Sequence, residues 1–211
     1  MNIFALSKNP TEAAIQMLDK HVVKMPTETC QMLHTNALFF EYIEHYGEEP
    51  TLAQLKVFHR DIGSNLMKPA MLNHPSTIWA RQNPNNTLWL YTHGLALCTE
   101  YTHRYGKKHG SQERILDTTQ YLPSDGRWRD ATPVTIAMDD KYRLDYNNDI
   151  DMWEFVIEQY RHYYLEGKWK FAEWRKNRMP EWWPKDHYKN KYNQEIDSYN
   201  KRWNANLERL E

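Results

Sequence analysis

Hydrophobic residues recur at helical spacing through most of the chain, and the sequence shows no convincing alternation of the kind that marks a β-strand. The segment "SKNPTEAAIQML" has Asn9 as a cap, Pro10 at the first helical position and Glu12 as the partner in a capping box. It predicts a helix that runs towards Met25. Because proline lacks the N–H that a helix interior needs, Pro26 is expected to kink this helix or to begin a new one.

Later segments carry the same kinds of signal. One helix is predicted to continue through "TETCQML" to Gly47, a candidate C-cap, and a shorter one lies within "PTLAQLKVFHRDIG". Two more are predicted to begin at Pro75 and Pro84. The second of these has an apolar line at helical spacing, formed by Leu88, Tyr91, Leu95 and Cys98.

The last third of the chain is less regular. Residues 107–148 are polar and contain turn signals such as "PSDGRW", which predict a long loop-rich connection of a kind that is often functional or mobile. A last long helix follows, and a basic, aromatic C-terminal region comes after it. The apolar positions of that helix are Ile150, Trp153, Ile157, Tyr160 and Tyr164. The pattern predicts an all-α fold, a compact single-domain helical bundle over residues 1–211.

Charge and cysteine content narrow the classes of function. Lys and Arg number 27 against 28 Asp and Glu, a net charge of −1, so any footprint for a nucleic acid must be local. Cys30 and Cys98 lie in helical patterns and the ten histidines are scattered, so we expect no disulfide framework, no metal site and no cofactor. The sequence has neither a membrane-spanning apolar run nor a signal peptide. We therefore expect a soluble, cytoplasmic protein, and a monomer.

One helical face carries a polar stripe. His21, Lys24 and Glu28 are spaced by three and four residues, which places an imidazole, an ammonium and a carboxylate above one another beside an apolar face. Such a carboxylate can orient a water or stabilise a cationic transition state, so these three residues are our catalytic candidates. The other interpretation is a solvated intrahelical ion pair worth about 0.2–0.5 kcal/mol.

A second segment, "NHPSTIWAR", has the chemistry to contact an anion such as a phosphodiester. Asn73 and His74 lie just before a predicted helix N-terminus, and Arg81 follows six residues after Pro75. The alternative is that Asn73 only caps the helix and that His74 is a structural residue.

The C-terminal region from 160 to 192 mixes cations with Trp, Tyr and Phe, a combination that neutralises phosphates and stacks on exposed bases. The candidate DNA contacts here are Arg161, Tyr163, Lys168, Lys170, Arg175, Lys176 and Arg178. The alternative is a C-terminal helix with core anchors under a solvated lysine face, the anchors being Trp169, Phe171 and Trp174.

Several segments together resemble one family. They are "MNIFAL…DKHVVKM…ETCQML", "NHPSTIWAR", "WLY…ALCTEYTHRYGKKH" and "YRHYY…K…FAEW…PEWW", and in residues and in order they are similar to the pyrimidine-dimer DNA glycosylases. The resemblance covers most of the chain in outline, apart from residues 107–148. It implies a compact all-α fold that binds double-stranded DNA, extrudes a nucleotide and cuts the N-glycosidic bond.

The resemblance also implies roles for particular residues. Glu28 matches the essential carboxylate, His74 the residue before the long helix, and "YRHYYLEGK" the aromatic segment near the damaged strand. In that family a small second residue becomes the processed N-terminus, and its α-amine attacks the sugar. Here Asn2 follows Met1, and so large a second residue normally leaves the initiator methionine in place. We therefore expect a monofunctional enzyme without lyase activity, in which Glu28 activates water or stabilises the oxocarbenium-like sugar.

The expected function is excision of a bulky damaged or modified pyrimidine base, which leaves an abasic site. A dimer as target would mean DNA repair, and a hypermodified phage base would mean a role in phage–host conflict. Pro26 is expected to place Glu28 in the first turn of a new helix, near free N–H groups. Two other functions remain open, a DNA-binding module without catalysis and a phage or host protein-interaction factor. Release of a free base would distinguish the enzyme from both.

Overall fold

The computed structural model describes residues 2–145 and 149–207, with side chains up to residue 202. These ranges contain eight α-helices and no strand, so the prediction of an all-α fold is confirmed. The helices are α1 (Pro10–Gln16), α2 (Asp19–Tyr46), α3 (Leu52–Asp61), α4 (Pro75–Arg81), α5 (Pro84–Tyr105), α6 (Gln112–Leu116), α7 (Met152–Tyr163) and α8 (His187–Leu207).

Helix α5 packs against both α1 and α2, and α4 packs against α2 and α5. The core between them contains fully buried side chains such as Leu18, Trp89 and Leu97. A Cβ on Gly94 would lie 2.7 Å from Thr29 Cγ2, so glycine lets α5 approach α2 here without displacing that side chain. A smaller cluster fills the space between α2 and α3, formed by Leu38, Phe39, Tyr42, Leu55, Phe58 and Leu72.

Helix α2 differs from the prediction at Pro26. The helical backbone is interrupted earlier, at Met17 and Leu18, which are extended with ψ of 142° and 157°, and α2 then runs for 28 residues through Pro26. The proline removes one bond of the helical ladder, but buried neighbours such as Val22 hold the helix against the core. The expected break at Pro26 is therefore wrong, and Glu28 lies in the interior of a helix rather than in a first turn.

The buried face of α5 contains polar residues that the hydrophobic pattern did not assign to the core. Of the apolar line predicted there, Cys98 is buried and the other three residues are half-buried. Asn86, His93, Glu100 and Arg104 are buried as well, and each forms hydrogen bonds. Hydrophobic periodicity misses such positions, because a polar side chain is tolerated in a core when it is hydrogen-bonded.

Arg104 connects α5 to the start of α2. Its side chain is fully buried, and it donates from Nη1 to Asp19 Oδ1 at 2.9 Å and from Nε to Glu100 Oε1 at 2.7 Å. The guanidinium also donates to the backbone carbonyls of Ile15 and Met17. This one side chain therefore holds the end of α1, the start of α2 and the last turn of α5 together.

The part of the 107–148 connection that the structure describes is largely anchored. It contains α6 and three 3₁₀ turns, Asp117–Tyr121, Trp128–Asp130 and Asp140–Tyr142. Between the last two turns the chain lies against the core. There the N–H of Thr132 donates to Asn86 Oδ1 at 2.9 Å, and Trp153 Nε1 donates to the Ala131 carbonyl at 3.1 Å. Residues 146–148 lie outside the described residues.

After α7 the chain forms a π-helical turn (Tyr164–Lys168) and a 3₁₀ turn (Trp169–Phe171), and it becomes helical again only at α8. Trp169 is buried, while Phe171 and Trp174 are half-buried against the core. The alternative interpretation is therefore right about these core anchors but wrong about one continuous C-terminal helix.

Within the described residues, no helix is long and apolar enough to cross a membrane. In the same part of the chain, no three His, Cys, Asp or Glu side chains lie together as metal ligands would.

Candidate functional site

Glu28 lies on α2 between the core and the solvent, with its side chain 16% exposed. One turn earlier, Lys24 is 68% exposed, and its Nζ lies 2.8 Å from Glu28 Oε1. The pair expected from the spacing is therefore formed, and it is asymmetric, because the carboxylate is recessed while the ammonium extends into solvent. A negatively charged substrate can therefore approach the Lys24 ammonium from the solvent side.

The second oxygen of Glu28 faces the N-terminal segment. The backbone N–H of Asn2 donates to Glu28 Oε2 at 3.2 Å. The side chain of Asn2 is fixed in turn, because its Nδ2 donates to the Ala137 carbonyl at 2.7 Å and its Oδ1 accepts from the Ile3 N–H at 2.7 Å. The segment before α1 therefore belongs to the surroundings of the carboxylate.

Tyr160 of α7 supports Asn2 from the core. Its hydroxyl lies 3.0 Å from Asn2 Oδ1, 2.7 Å from the Thr135 carbonyl and 3.2 Å from the Ala137 N–H. Burial raises the pKa of Tyr160, so the hydroxyl keeps its proton and remains a donor. The end of the loop-rich connection and α7 together hold residue 2 against Glu28.

His21 lies on the same face of α2 as the carboxylate but is buried, with 7% exposure. Its ring stacks on Phe4 at a centroid distance of 4.1 Å, and its Nδ1 shares a 2.6 Å hydrogen bond with the Tyr164 hydroxyl. Burial, with a further contribution from the charge of Lys168, lowers the pKa of His21 to about 3. The imidazole is therefore neutral near pH 7, so any part it plays near Glu28 is that of a neutral ring.

His74, rather than Asn73, is the N-cap of α4. Its Nδ1 accepts from the Ser76 N–H at 3.1 Å, while Asn73 is exposed beside it. Burial lowers the pKa of His74, and the negative charge of Glu28 acts in the opposite direction. The two side chains are therefore close enough to interact electrostatically, and the "NHP" segment lies on the Glu28 side of the molecule.

Arg81 is engaged elsewhere. Its Nη1 donates to the Leu72 carbonyl at 2.7 Å, and its guanidinium lies 4.4 Å from the centroid of the Phe39 ring. It also lines a cavity of about 650 Å³ that includes Phe40 and Tyr121. These contacts place the guanidinium between α2 and α4, and none of them joins it to the His74 ring.

Tyr163 and Lys168 lie next to His21. Tyr163 stacks on Phe4 at a centroid distance of 6.2 Å, on the ring that also stacks on His21. Lys168 Nζ lies 4.5 Å from the centroid of Tyr163, and a Cβ on Gly167 would lie 2.7 Å from the same ring. This aromatic and basic group continues the polar stripe of α2 away from Glu28.

Two arginines of the C-terminal region extend the ion network of Arg104. Arg175 Nε lies 3.4 Å from Asp19 Oδ2, and Arg178 Nε lies 3.0 Å from Glu100 Oε1. Both carboxylates are more than nine-tenths buried, so these arginines neutralise charge inside the fold. Arg178, at 32% exposure, is therefore less available to a phosphate, whereas the Arg175 side chain is still 62% exposed.

The other cations predicted to contact DNA have varied surroundings. Lys170 Nζ pairs with Glu195 at 2.9 Å, and Arg161 Nη2 donates to the Leu6 carbonyl at 3.2 Å. Lys176 is exposed in a left-handed turn with φ of 57°.

Three residues that position the site were not identified from the sequence. Ala137 contributes only a backbone carbonyl, which no side-chain pattern reveals. Tyr160 was expected only as an apolar position of the last helix. For Arg104 a signal was present, because Glu100 and Arg104 are spaced by four residues on a helix and can form a pair.

A recessed carboxylate between a lysine and a backbone N–H fits the class of enzymes that cleave glycosidic bonds with a carboxylate. A family model described as "Pyrimidine dimer DNA glycosylase" matches residues 1–113, which is more than half of the chain. The chain therefore belongs to this DNA glycosylase family. No curated protein and no solved structure matches it. The matched residues include Glu28 and His74, while the candidate DNA contacts from Arg161 onward lie outside them.

Proposed function

We propose that this protein removes a bulky damaged or modified pyrimidine base from double-stranded DNA and leaves an abasic site. The observation that carries the proposal is the position of Glu28, whose two oxygens face Lys24 and the backbone N–H of Asn2. Membership of the glycosylase family supports the reaction type, and the recessed carboxylate supplies the group that such a reaction needs.

Glu28 acts on the sugar of a nucleotide that has left the base stack. Cleavage of the N-glycosidic bond leaves positive charge on the sugar ring, and a carboxylate stabilises that charge or takes a proton from the attacking water. Lys24 and the Asn2 N–H fix the orientation of the carboxylate, so little reorganisation is needed in the transition state. His21 supports this face of α2 as a neutral ring.

The product is an abasic site in an intact strand as long as no amine of the protein attacks the sugar. The nitrogen of Asn2 is then a peptide nitrogen, which donates a hydrogen bond to Glu28 but has no nucleophilic lone pair. If Met1 were removed, the nitrogen of Asn2 would become an α-amine at the same position, 3.2 Å from Glu28 Oε2. Removal of Met1 would therefore place an amine nucleophile beside Glu28 and would favour lyase activity, whereas a retained Met1 leaves a peptide nitrogen at that position.

Duplex DNA would lie across the Glu28 side, with phosphates near the exposed Lys24 and the half-buried Lys168. Lys24 and Lys168 flank the catalytic face, and Asn73 and His74 lie on the same side. These contacts would offset the free-energy cost of extruding the base. That cost is about a few kcal/mol and is smallest for a weakly stacked base. Arg81 and Arg178 would stabilise the fold more than they contact phosphates.

The target is a pyrimidine dimer, as the description of the family indicates, or another bulky pyrimidine. A dimer implies DNA repair. A hypermodified phage base implies action against phage DNA.

The experiment is to incubate the protein with undamaged, ultraviolet-irradiated and glucosylated-cytosine duplexes and to analyse the released bases by chromatography. Alkali treatment then reveals abasic sites. We expect release from one of the two altered duplexes and none from undamaged DNA. Strong, salt-dependent binding without release would instead indicate a non-catalytic DNA-binding module, and weak binding would indicate a protein-interaction factor.

A further inference from the structure

Met71 is an exposed apolar residue in a left-handed backbone conformation. Its φ is 55° and it is 47% exposed. Glycine and asparagine are the usual residues in this conformation, because the Cβ of other residues comes too close to the following carbonyl oxygen, while asparagine compensates with local hydrogen bonds. About half of this methionine is exposed, so burial offsets only part of the strain, and strain of this kind is concentrated at functional sites.

Both neighbours of Met71 are fixed. The N–H of Ala70 donates to Thr35 Oγ1 at 3.3 Å, and Thr35 Oγ1 donates to the Ala70 carbonyl at 3.2 Å. On the other side Leu72 is buried, and its carbonyl accepts from Arg81 at 2.7 Å. The Met71 side chain is therefore presented to solvent from a rigid turn rather than from a loose loop.

This turn lies along the catalytic face. Gln31, one turn after Glu28 on α2, donates from Nε2 to the Lys68 carbonyl at 2.9 Å. At the other end of the turn, the carbonyl of Met71 accepts from the His74 N–H at 3.0 Å. Residues 68–74 therefore lie along the face of α2 that carries Glu28, and His74 at the end of this turn is close enough to Glu28 to interact with it electrostatically.

We propose that Met71 is a wedge that enters the base stack of duplex DNA and occupies the space left by the extruded nucleotide. Flexible apolar side chains such as methionine perform this role in proteins that kink or unstack DNA. The exposed cation Lys24 lies on the same face of α2, where it would neutralise a phosphate beside an opened step. This inference rests on the proposed function and adds the residue that keeps the flipped state open.

The test uses the full chain and a duplex that contains one pyrimidine dimer with 2-aminopurine beside it, a base whose fluorescence rises on unstacking. Met71→Gly removes the wedge and relieves the backbone strain, so its thermal midpoint should not fall. We expect a weaker fluorescence rise and a single-turnover rate of base release lower by about tenfold to a hundredfold, because unstacking is no longer compensated. Met71→Leu should keep the fluorescence rise and the rate of base release near those of the wild-type protein.

Two controls match the substitution. Asn177→Gly introduces glycine at another left-handed position, with φ of 56°, and Met152→Ala removes another exposed methionine. Neither should change fluorescence or rate. Wild-type fluorescence and rate in Met71→Gly would overturn the wedge and leave the proposed function standing. A wild-type protein that releases no base from any of the DNAs would overturn both.

Discussion

The backbone N–H of Asn2 donates a hydrogen bond to Glu28 Oε2 across 26 residues of sequence, at 3.2 Å. This contact places the N-terminal segment and the carboxylate of α2 in one site. Because Asn2 is itself held by Ala137 and Tyr160, the site depends on the first residues, α2, the loop-rich connection and α7 together. Changes in any of these four parts should therefore affect the chemistry at Glu28.

Replacing Glu28 tests the catalytic carboxylate. Glu28→Gln keeps the shape and removes the charge, so DNA binding should be nearly unchanged while base release slows by about 10²–10⁴-fold. Glu44→Gln, an exposed position on the same helix, is the matched control and should retain the wild-type rate. Single-turnover release of base and binding by fluorescence anisotropy measure the two effects separately. Full activity of Glu28→Gln would remove Glu28 from the mechanism.

Borohydride trapping tests the chemistry of the product. With Met1 in place, the Asn2 nitrogen is a peptide nitrogen, so we expect no covalent protein–DNA adduct and a strand that breaks only after alkali. Lys24 is the alternative amine, but its Nζ is held in an ion pair with Glu28 at 2.8 Å. A trapped adduct that disappears in Lys24→Ala would assign the nucleophile to that side chain. One that persists would assign it to the N-terminal amine.

The salt dependence of binding tests the DNA-facing surface. Lys168→Ala and Lys176→Ala should each reduce the slope of log affinity against log salt by about one, as expected for the loss of one phosphate contact. Lys56→Ala on α3 is an exposed control and should leave the slope unchanged. Slopes equal to that of the wild-type protein in both test variants would place the duplex on another surface.

Replacing Arg104 tests how much the buried ion network stabilises the fold. Arg104→Met fills the space but leaves Asp19 and Glu100 without their buried partner, so the free energy of unfolding should fall by about 3–5 kcal/mol. The control is Arg60→Met, which removes an exposed pair with Asp61 and should cost about 0–1 kcal/mol. Urea denaturation measures both. A loss of less than 1 kcal/mol in Arg104→Met, on the order of a surface pair, would contradict the structural role assigned to the network.

The pH dependence of stability tests the buried imidazoles. Burial lowers the pKa of His21 to about 3 and that of His93 to about 4, both below the unfolded value of 6.5. The unfolded chain therefore binds more protons, and the free energy of unfolding should decrease as the pH falls below 6.5. Each histidine contributes about 1.4 kcal/mol per pH unit once its unfolded form is fully protonated.

Denaturant unfolding between pH 7 and pH 5 measures this slope. His21→Asn should reduce this slope by up to about 1.4 kcal/mol per pH unit, the contribution of one bound proton. His45→Asn, an exposed position on the same helix, should leave the slope unchanged. Equal slopes in the two variants would mean that the His21 imidazole is protonated in the folded state.

The sequence by itself determined the features that depend on neighbouring residues. Helix starts at Pro10, Pro75 and Pro84 follow from local capping, and the Lys24–Glu28 pair follows from one turn of helix. The periodicity also gave the all-α class, because an apolar helical face must be buried against another helix.

Only the tertiary structure decided the features that depend on distant parts of the chain. Packing against the core carries α2 through Pro26, although the local signal favoured a break. Burial of Arg104 is possible only because carboxylates from two helices meet it, and Asn2 reaches Glu28 only because Ala137 and Tyr160 hold it. Such contacts join residues far apart in sequence, so no local pattern of hydrophobicity or hydrogen bonding specifies them.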